Sequence, residues 1–190
     1  MDNRPIGIMD SGVGGLTVAC VLKEKYPNEK FIFIGDTARN PYGNKSPEEV
    51  TFFAEEMKAF LAGKQVKMII AACNTITFSV PPSFFEGKIP VIGMSLDFPE
   101  LESVNHLAVI GTPMTIRSHR HRDRLKKDFP LMNVTEIPID GLAYAIEMGK
   151  EESFIYRMIN KAVQKAGAES VDAAVLACTH YPCLLYTSDA

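Results

Sequence analysis

MIIAACNTITF, residues 68–78, is the stretch that decides the fold. Its apolar run ends at Cys73 and passes directly into Asn and Thr, which predicts a buried strand that gives way to a loop at the thiol. A similar stretch, LACTHYP at residues 176–182, places Cys178 at the same kind of junction. Two such junctions, 105 residues apart, indicate that the two thiols act together.

Apolar segments of strand length alternate with segments of helical periodicity on both sides of these junctions. Strands are predicted over residues 5–9, 31–34, 68–72, 90–94, 107–110, 134–137 and 173–177, and helices over residues 16–25, 46–62, 114–128, 141–148 and 152–166. Ser46 and Glu49 form a capping-box pattern at the start of the second helix. This alternation predicts an α/β fold of two similar open parallel-sheet lobes with helices on both faces, residues 1–94 and 95–190, with the active site in the cleft between them.

Composition narrows the class of protein. The chain has 190 residues, of which 46% are hydrophobic and 23% charged, as is normal for a globular protein. A net charge of -3 gives no electrostatic reason to bind nucleic acid or an anionic membrane surface. No apolar run is long enough to span a membrane, and no secretory leader is recognisable before the four cysteines. We therefore expect a cytoplasmic protein with reduced thiols.

Several chemically useful side chains follow predicted strands. Asp10, Asp36, Cys73 and Cys178 each come after such a strand. In open α/β sheets, ligands bind beyond the carboxyl ends of the strands. If the two lobes face each other, the two cysteines approach one cleft from opposite sides.

Paired thiols suit one kind of reaction. The positive end of a helix dipole lowers the pKa of a thiol beside it, so Cys73 and Cys178 are expected to be partly ionised. Inversion of an amino acid at Cα needs an acid/base group on each face of the carbon, and two thiols can supply both. No motif indicates pyridoxal phosphate, so no cofactor is expected. The alternative is that each cysteine is simply a small buried apolar residue.

Two further side chains near the cysteines have two interpretations each. Asp10 either caps the helix after the GVGG turn or lies beside Cys73 and supports its chemistry. His180, two residues after Cys178, is either a hydrogen-bonded loop residue or an acid/base or orienting group for that thiol.

A dinucleotide site is an alternative use of the first loop. GVGG, residues 12–15, contains Gly12, Gly14 and Gly15, and Asp36 follows at about the distance of a ribose-binding acid. The third glycine of that fingerprint is absent, however, and Asp10 would repel a pyrophosphate.

The remaining cysteines and histidines favour structural roles. CTHYPC, residues 178–183, could hold a metal through Cys178, His180 and Cys183, but no second ligand pair has a matching spacing, so no metal is expected. His119 and His121 are predicted to lie on a solvated basic helix face. Cys20 is predicted to lie in the core.

Five blocks of sequence together resemble the glutamate racemases, the cofactor-independent branch of the aspartate/glutamate racemases. These blocks are DSGVGGLTV (10–18), GDTARNPYG (35–43), AACNTIT (71–77), GTPMTIRS (111–118) and CTHYP (178–182). The resemblance implies an enzyme that interconverts L- and D-glutamate and supplies D-glutamate for peptidoglycan. It also implies a homodimer whose small-molecule substrate is glutamate.

The resemblance also assigns roles to residues. It implies that Cys73 and Cys178 are the two catalytic bases, one for each enantiomer. Asp10 would assist Cys73, and His180 with Glu147 would assist Cys178. The substrate-binding residues that it implies are Asp10, Ser11, Tyr42, Gly43, Asn74, Thr75, Thr179 and His180.

The end of the chain departs from the family pattern. After CTHYP the family continues through elements that return to the first lobe, whereas here LLYTSDA (184–190) follows. The expectation is a truncated chain whose first lobe exposes apolar surface. Two other hypotheses therefore stay open: an inactive fragment that only binds a ligand or a partner chain, and a nucleotide-binding α/β domain.

Overall fold

The computed structural model describes residues 2–98, 101 and 103–186, so residues 187–190 of the LLYTSDA segment lie outside the described residues. The strands are β1 (Ile6–Asp10), β2 (Phe31–Gly35), β3 (Met68–Ala71), β4 (Val91–Ile92), β5 (His106–Gly111), β6 (Asn133–Pro138) and β7 (Ala173–Ala177). The α-helices are α1 (Gly15–Lys25), α2 (Pro47–Gly63), α3 (Asn74–Ser79), α4 (Pro113–Arg117), α5 (Arg120–Asp128), α6 (Leu142–Glu147), α7 (Glu152–Ala166) and α8 (Cys183–Tyr186). Short 3-10 helices occupy Tyr42–Asn44 and Pro82–Phe85.

The strands form two parallel sheets. A four-stranded sheet has the order β2-β1-β3-β4 and defines the first lobe, and a three-stranded sheet has the order β6-β5-β7 and defines the second. In the first, Ile8 pairs with Phe33 on one side and Ile70 on the other. Parallel neighbours need crossover connections, which the helices provide. The predicted α/β fold with two parallel-sheet lobes is confirmed.

The first lobe is organised around β1, which lies between β2 and β3 and is buried along its whole length. A strand covered on both faces needs apolar side chains at nearly every position, as the segment IGIM provides. Helix α2 packs on this sheet through an apolar stripe with helical spacing. The buried members of that stripe are Val50, Ala54, Met57 and Leu61. The predicted capping box is present: Glu49 N–H donates to Ser46 Oγ, and Ser46 N–H donates to Glu49 Oε2.

The second lobe has apolar clusters on both faces of its sheet. Leu107 and Val109 of β5 pack in one cluster with Leu125 of α5, and Ala108 packs in the other with Ile137. The alternation follows from the two-residue period of a strand. Both faces of β5 are therefore covered, which fixes its position at the centre of the sheet.

Two predicted elements differ from the observed ones. The basic helix predicted over residues 114–128 is two helices, because His119 adopts a left-handed conformation (φ 54°) between α4 and α5. The strand predicted over residues 90–94 is shorter, because the chain leaves the sheet where Met94 N–H donates to Thr77 Oγ1 (3.1 Å). The next described residues, 95–98, form neither helix nor strand before the second lobe begins.

Helix α1 is only partly covered. Leu16 and Val21 are 46% and 45% exposed, and Cys20 is exposed as well. The prediction that Cys20 lies in the core was wrong, because this residue falls on the solvent side of the helix. Within residues 2–98, 101 and 103–186, no helix combines the length and the apolar character needed to cross a bilayer.

Candidate active site

The strands of both lobes direct their carboxyl ends toward one small cavity. Both Cys73 and Cys178 line it. The other lining residues are Ser11, Asn40, Pro41, Tyr42, Gly43, Asn74, Thr75, Thr112, Ala143, Thr179 and His180. Of the site residues predicted from the sequence, Asp10 and Glu147 lie behind this wall and the rest form part of it.

Cys73 lies where β3 ends and α3 begins. It occupies the N-cap position of α3 with an extended backbone (φ -77°, ψ 125°), and its thiol is buried. Ser11 Oγ lies 3.4 Å from Cys73 Sγ, at hydrogen-bond distance for sulfur. The direct passage from strand to helix therefore presents the thiol to the cavity beside a hydroxyl.

Asp10 is fully buried behind Cys73 at the end of β1. Its Oδ1 accepts a hydrogen bond from Gly12 N–H (2.8 Å), and its Oδ2 accepts one from Thr179 Oγ1 of the other lobe (3.0 Å). Burial raises the pKa of this carboxyl above its usual range. Asp10 thus closes the glycine-rich turn and connects it to the Cys178 loop. The N-cap of α1 is Gly14, so Asp10 is not the N-cap of that helix.

The prediction that helix ends lower the thiol pKa values was wrong. Burial, reinforced by the nearby Asp10 carboxylate, raises the pKa of Cys73 to about 11. Burial also raises the pKa of Cys178 well above its usual range, and Cys73 adds to this effect. Cys178 is followed by a turn, and the next helix begins only at Cys183. Desolvation at these buried positions therefore outweighs any benefit from a helix end.

His180 lies beside Cys178 and is almost completely buried. Its Nε2 lies 2.5 Å from Glu147 Oε2, and its Nδ1 lies 3.9 Å from Cys178 Sγ. Because a carboxylate can only accept, Nε2 carries the proton of this contact, and Nδ1 is the ring nitrogen that faces the thiol. The predicted group of Cys178, His180 and Glu147 is therefore brought together.

Gly14 permits the close approach of the first loop to this group. A Cβ at Gly14 would lie 2.6 Å from both the backbone nitrogen and Nδ1 of His180, and 2.7 Å from Thr179 Oγ1. Such contacts are far shorter than real Cβ contacts, so only glycine fits without displacing the Cys178 loop. Gly14 therefore serves the contact between the lobes.

Three threonine hydroxyls join the lobes on the other side of the cavity. Thr75 Oγ1 lies 3.0 Å from Thr112 Oγ1 and 3.2 Å from Thr115 Oγ1. Thr112 also caps α4 by accepting from Thr115 N–H (3.3 Å). Thr75 was predicted from the sequence, whereas Thr112 was not, although its place before Pro113 is a helix N-cap signal.

Other lining residues were also missed. Asn40 and Pro41 lie inside the quoted block GDTARNPYG, directly before Tyr42 and Gly43. This position in the sequence could have identified them as lining residues. Ala143 carries no chemical signal, and only the packing of α6 brings it to the cavity.

Asp36 is buried and hydrogen-bonded to its own loop. Tyr42 Oη donates a hydrogen bond to Asp36 Oδ2, and Arg39 Nε donates to the same oxygen at 2.6 Å. Burial and this carboxylate raise the pKa of the Tyr42 hydroxyl. Asp36 is therefore not available for a ribose, and His180 occupies the space beside Gly14. The dinucleotide interpretation is not supported.

The other histidines have structural positions. His119 Nδ1 pairs with Glu136 Oε2 of β6 at 2.6 Å. His121 is buried between the rings of Phe78 and Phe98, with centroid distances of 4.9 and 6.5 Å. Its assignment to a solvated face was wrong, because α5 begins after the break at His119 and turns His121 toward α3.

The cysteines and histidine of CTHYPC do not form a metal cluster. Among the described residues, no group of three or more His, Cys, Asp and Glu side chains is arranged to hold a metal ion. Cys183 Sγ instead lies 3.9 Å from the Thr179 carbonyl oxygen.

The fold and the site define a two-lobed α/β protein with one thiol from each lobe facing a shared cavity. No family model matches the chain. It is 40% identical over 189 residues to the glutamate racemase of Streptococcus thermophilus. The alignment covers 97% of this chain and 70% of the relative.

Solved structures give the same result. The glutamate racemase of Francisella tularensis in complex with D-glutamate is 35% identical, with a TM-score of 0.83 over 98% of this chain and 73% of that one. The glutamate racemase of Campylobacter jejuni is 30% identical, with a TM-score of 0.85 over 97% of this chain and 76% of that one. The chain belongs to the glutamate racemase family.

Proposed function

We propose that this chain interconverts L- and D-glutamate by a two-base reaction in which Cys73 and Cys178 face opposite sides of the substrate Cα. The observation that carries the proposal is that a thiol from each lobe lines the same cavity. A single thiol could exchange the Cα proton, but inversion needs a second proton donor on the opposite face.

The reaction balances without any external reagent. One thiolate takes the Cα proton and becomes a thiol, while the thiol on the other face gives its proton to Cα and becomes a thiolate. The unliganded pair is neutral because of burial. A substrate ammonium beside the thiols favours the thiolate, so arrival of the substrate helps to generate the base. To form the first thiolate, His180 Nδ1 can accept the proton of Cys178, and the Asp10 carboxylate can accept the proton of Cys73.

The cavity wall supplies polar groups for an amino acid with two carboxylates. The predicted binding residues that line it are Ser11, Tyr42, Gly43, Asn74, Thr75, Thr179 and His180. Hydrogen-bond donors around the carboxylates also stabilise the negative charge that develops at Cα. The relative from Francisella tularensis, whose structure holds D-glutamate, supports this choice of substrate.

The wider proposal follows the family. Residues 1–94 and 95–190 form the two lobes, the reaction needs no cofactor, and the product D-glutamate serves peptidoglycan synthesis. We also propose a cytoplasmic location and a homodimer.

Deuterium incorporation tests the function. The purified chain is incubated separately with L- and D-glutamate in deuterated water, with a heat-denatured sample as the control. The expected result is deuterium at Cα together with loss of optical purity from either enantiomer. No incorporation and no racemisation would contradict the proposal. A shift of the melting temperature by glutamate in that case would favour the hypothesis of an inactive chain that only binds a ligand.

A further inference from the structure

Asn40 connects the wall of the cavity to the group behind Cys178. It lies in the loop after β2 and lines the cavity. Its Nδ2 donates a hydrogen bond to Oε2 of Glu147, which belongs to the other lobe. The same oxygen accepts from Val13 N–H (3.3 Å) and lies 2.5 Å from His180 Nε2. Two donors from the first lobe and one from the second thus converge on one carboxylate oxygen.

Backbone packing closes the remaining side of this oxygen. A Cβ at Gly12 would lie 2.1 Å from Glu147 Oε2 and 2.6 Å from Asn40 Nδ2. The Glu147 side chain is only 4% exposed, so water contributes little to holding it. Its orientation therefore depends on these donors, and Asn40 is the one among them whose side chain can be replaced without altering His180.

We infer that Asn40 is a positioning residue that fixes the tautomer of His180 through Glu147. The amide Nδ2 can only donate, so its contact orients the accepting oxygen Oε2 toward His180 Nε2. An acceptor at that position keeps the His180 proton on Nε2 and leaves Nδ1 free to accept from Cys178 Sγ, 3.9 Å away. The catalytic consequence rests on the proposed function, but the tautomer does not.

Nitrogen NMR of the histidine rings reads the tautomer directly. The full chain is labelled with ¹⁵N-histidine, and the His180 signals are assigned with His180→Gln. In the unaltered chain and in the control Asn44→Ala, an exposed residue of the same loop, the signals should show a proton on Nε2 alone. In Asn40→Ala the two ring signals should move toward each other as the second tautomer becomes populated. A folded Asn40→Ala chain with unchanged His180 signals would overturn the inference.

Asn40→Asp is the second variant, because it replaces the donor by a carboxylate facing Glu147 while keeping the shape. Its effect on the His180 signals should exceed that of Asn40→Ala, and Asn44→Asp is its matched control. Thermal melting establishes that each variant is folded. If neither variant folds, hydrogen exchange of the Asn40 side-chain amide is measured by NMR in the unaltered chain. An amide proton in fast exchange with water would contradict the contact with Glu147.

Racemisation supplies a separate readout. Loss of a hydrogen bond to a charged group should lower kcat for Asn40→Ala about ten-fold. If the unaltered chain has no racemase activity, the proposed function fails while the NMR result still decides the role of Asn40. Unchanged kcat in a variant whose His180 tautomer has shifted would overturn the catalytic part of the inference.

Discussion

Cys73 and Cys178 both follow the last residues of a parallel strand, yet their supporting residues come from different parts of the chain. The neighbours of Cys73, Ser11 and Asp10, belong to its own lobe. Cys178 has His180 from its own loop, but the orientation of His180 depends on Glu147, which in turn accepts from Asn40 of the other lobe. The groups beside the Cys73 thiol therefore belong to one lobe, whereas the histidine beside Cys178 is oriented by groups from both lobes.

This difference has a consequence for perturbations. Changes near Cys178 should alter the fit of the lobes and activity together. Changes at Cys73 and Ser11 themselves should act mainly within the first lobe.

Replacing either thiol should remove racemisation. Cys73→Ser and Cys178→Ser should each lower kcat/KM by about 10²–10⁴-fold, because each removes one acid/base group. Each variant should still exchange the Cα proton of one enantiomer, and the two variants should differ in which one. The measurement is deuterium exchange into L- and D-glutamate separately. Cys20→Ser, on the exposed side of α1, serves as the control. Full activity in either active-site variant would contradict the two-base reaction.

The buried His121 should make the free energy of unfolding depend on pH. This residue packs against Phe78 of α3, the helix that begins after Cys73. Burial lowers its pKa from 6.5 to about 4. The unfolded chain therefore binds a proton that the folded chain excludes, and stability is lost as the pH falls from 6.5 to 4. The full loss is about 3 kcal/mol.

The comparison that isolates this effect is with His121→Phe, which keeps a ring between Phe78 and Phe98 but cannot titrate. Urea unfolding of both chains across pH 4 to 7.5 gives the difference, and the other titrating groups cancel because both chains share them. Equal pH dependence in the two chains would show that His121 is not buried as described.

Gly14→Ala tests the dependence of the Cys178 side on the first lobe. The added methyl group would press on His180 and Thr179, and overpacking of this kind costs about 1–3 kcal/mol. Activity should fall with stability, because the displaced loop carries Cys178. Gly63→Ala is the matched control, since a Cβ there meets nothing within 4 Å. Equal melting temperatures and activities in the two variants would contradict the close packing at Gly14.

The sequence predicted the junctions well because they are local. Apolar runs that end before Cys73 and Cys178 define both the strand and the position of the thiol, and the carboxyl ends of the two sheets bring both thiols to one cavity. The Ser46 capping box is local in the same way. The fold class and the family followed from such patterns.

Features that depend on tertiary packing could not be predicted. The His119 conformation breaks a helix whose composition indicates continuity, and this break buries His121. The direction of the Cys73 pKa shift depends on desolvation, which a sequence does not show. The contact between Asn40 and Glu147 has no signal in the sequence, because the two residues lie 107 positions apart.

Tyr181→Phe should change the free energy of unfolding least, and in the opposite direction to Tyr42→Phe in the first lobe. Within the described residues, the buried Tyr181 hydroxyl has no hydrogen-bond partner, whereas Tyr42 Oη donates to Asp36. Removing an unsatisfied buried hydroxyl should leave stability unchanged or raise it by up to about 1 kcal/mol. Tyr42→Phe should lower stability by about 1.5–3 kcal/mol, because it removes a hydrogen bond to a charged group. Urea unfolding of both variants measures the contrast. A destabilised Tyr181→Phe chain would show that this hydroxyl has a partner in solution and that the Cys178 side contains a further polar contact.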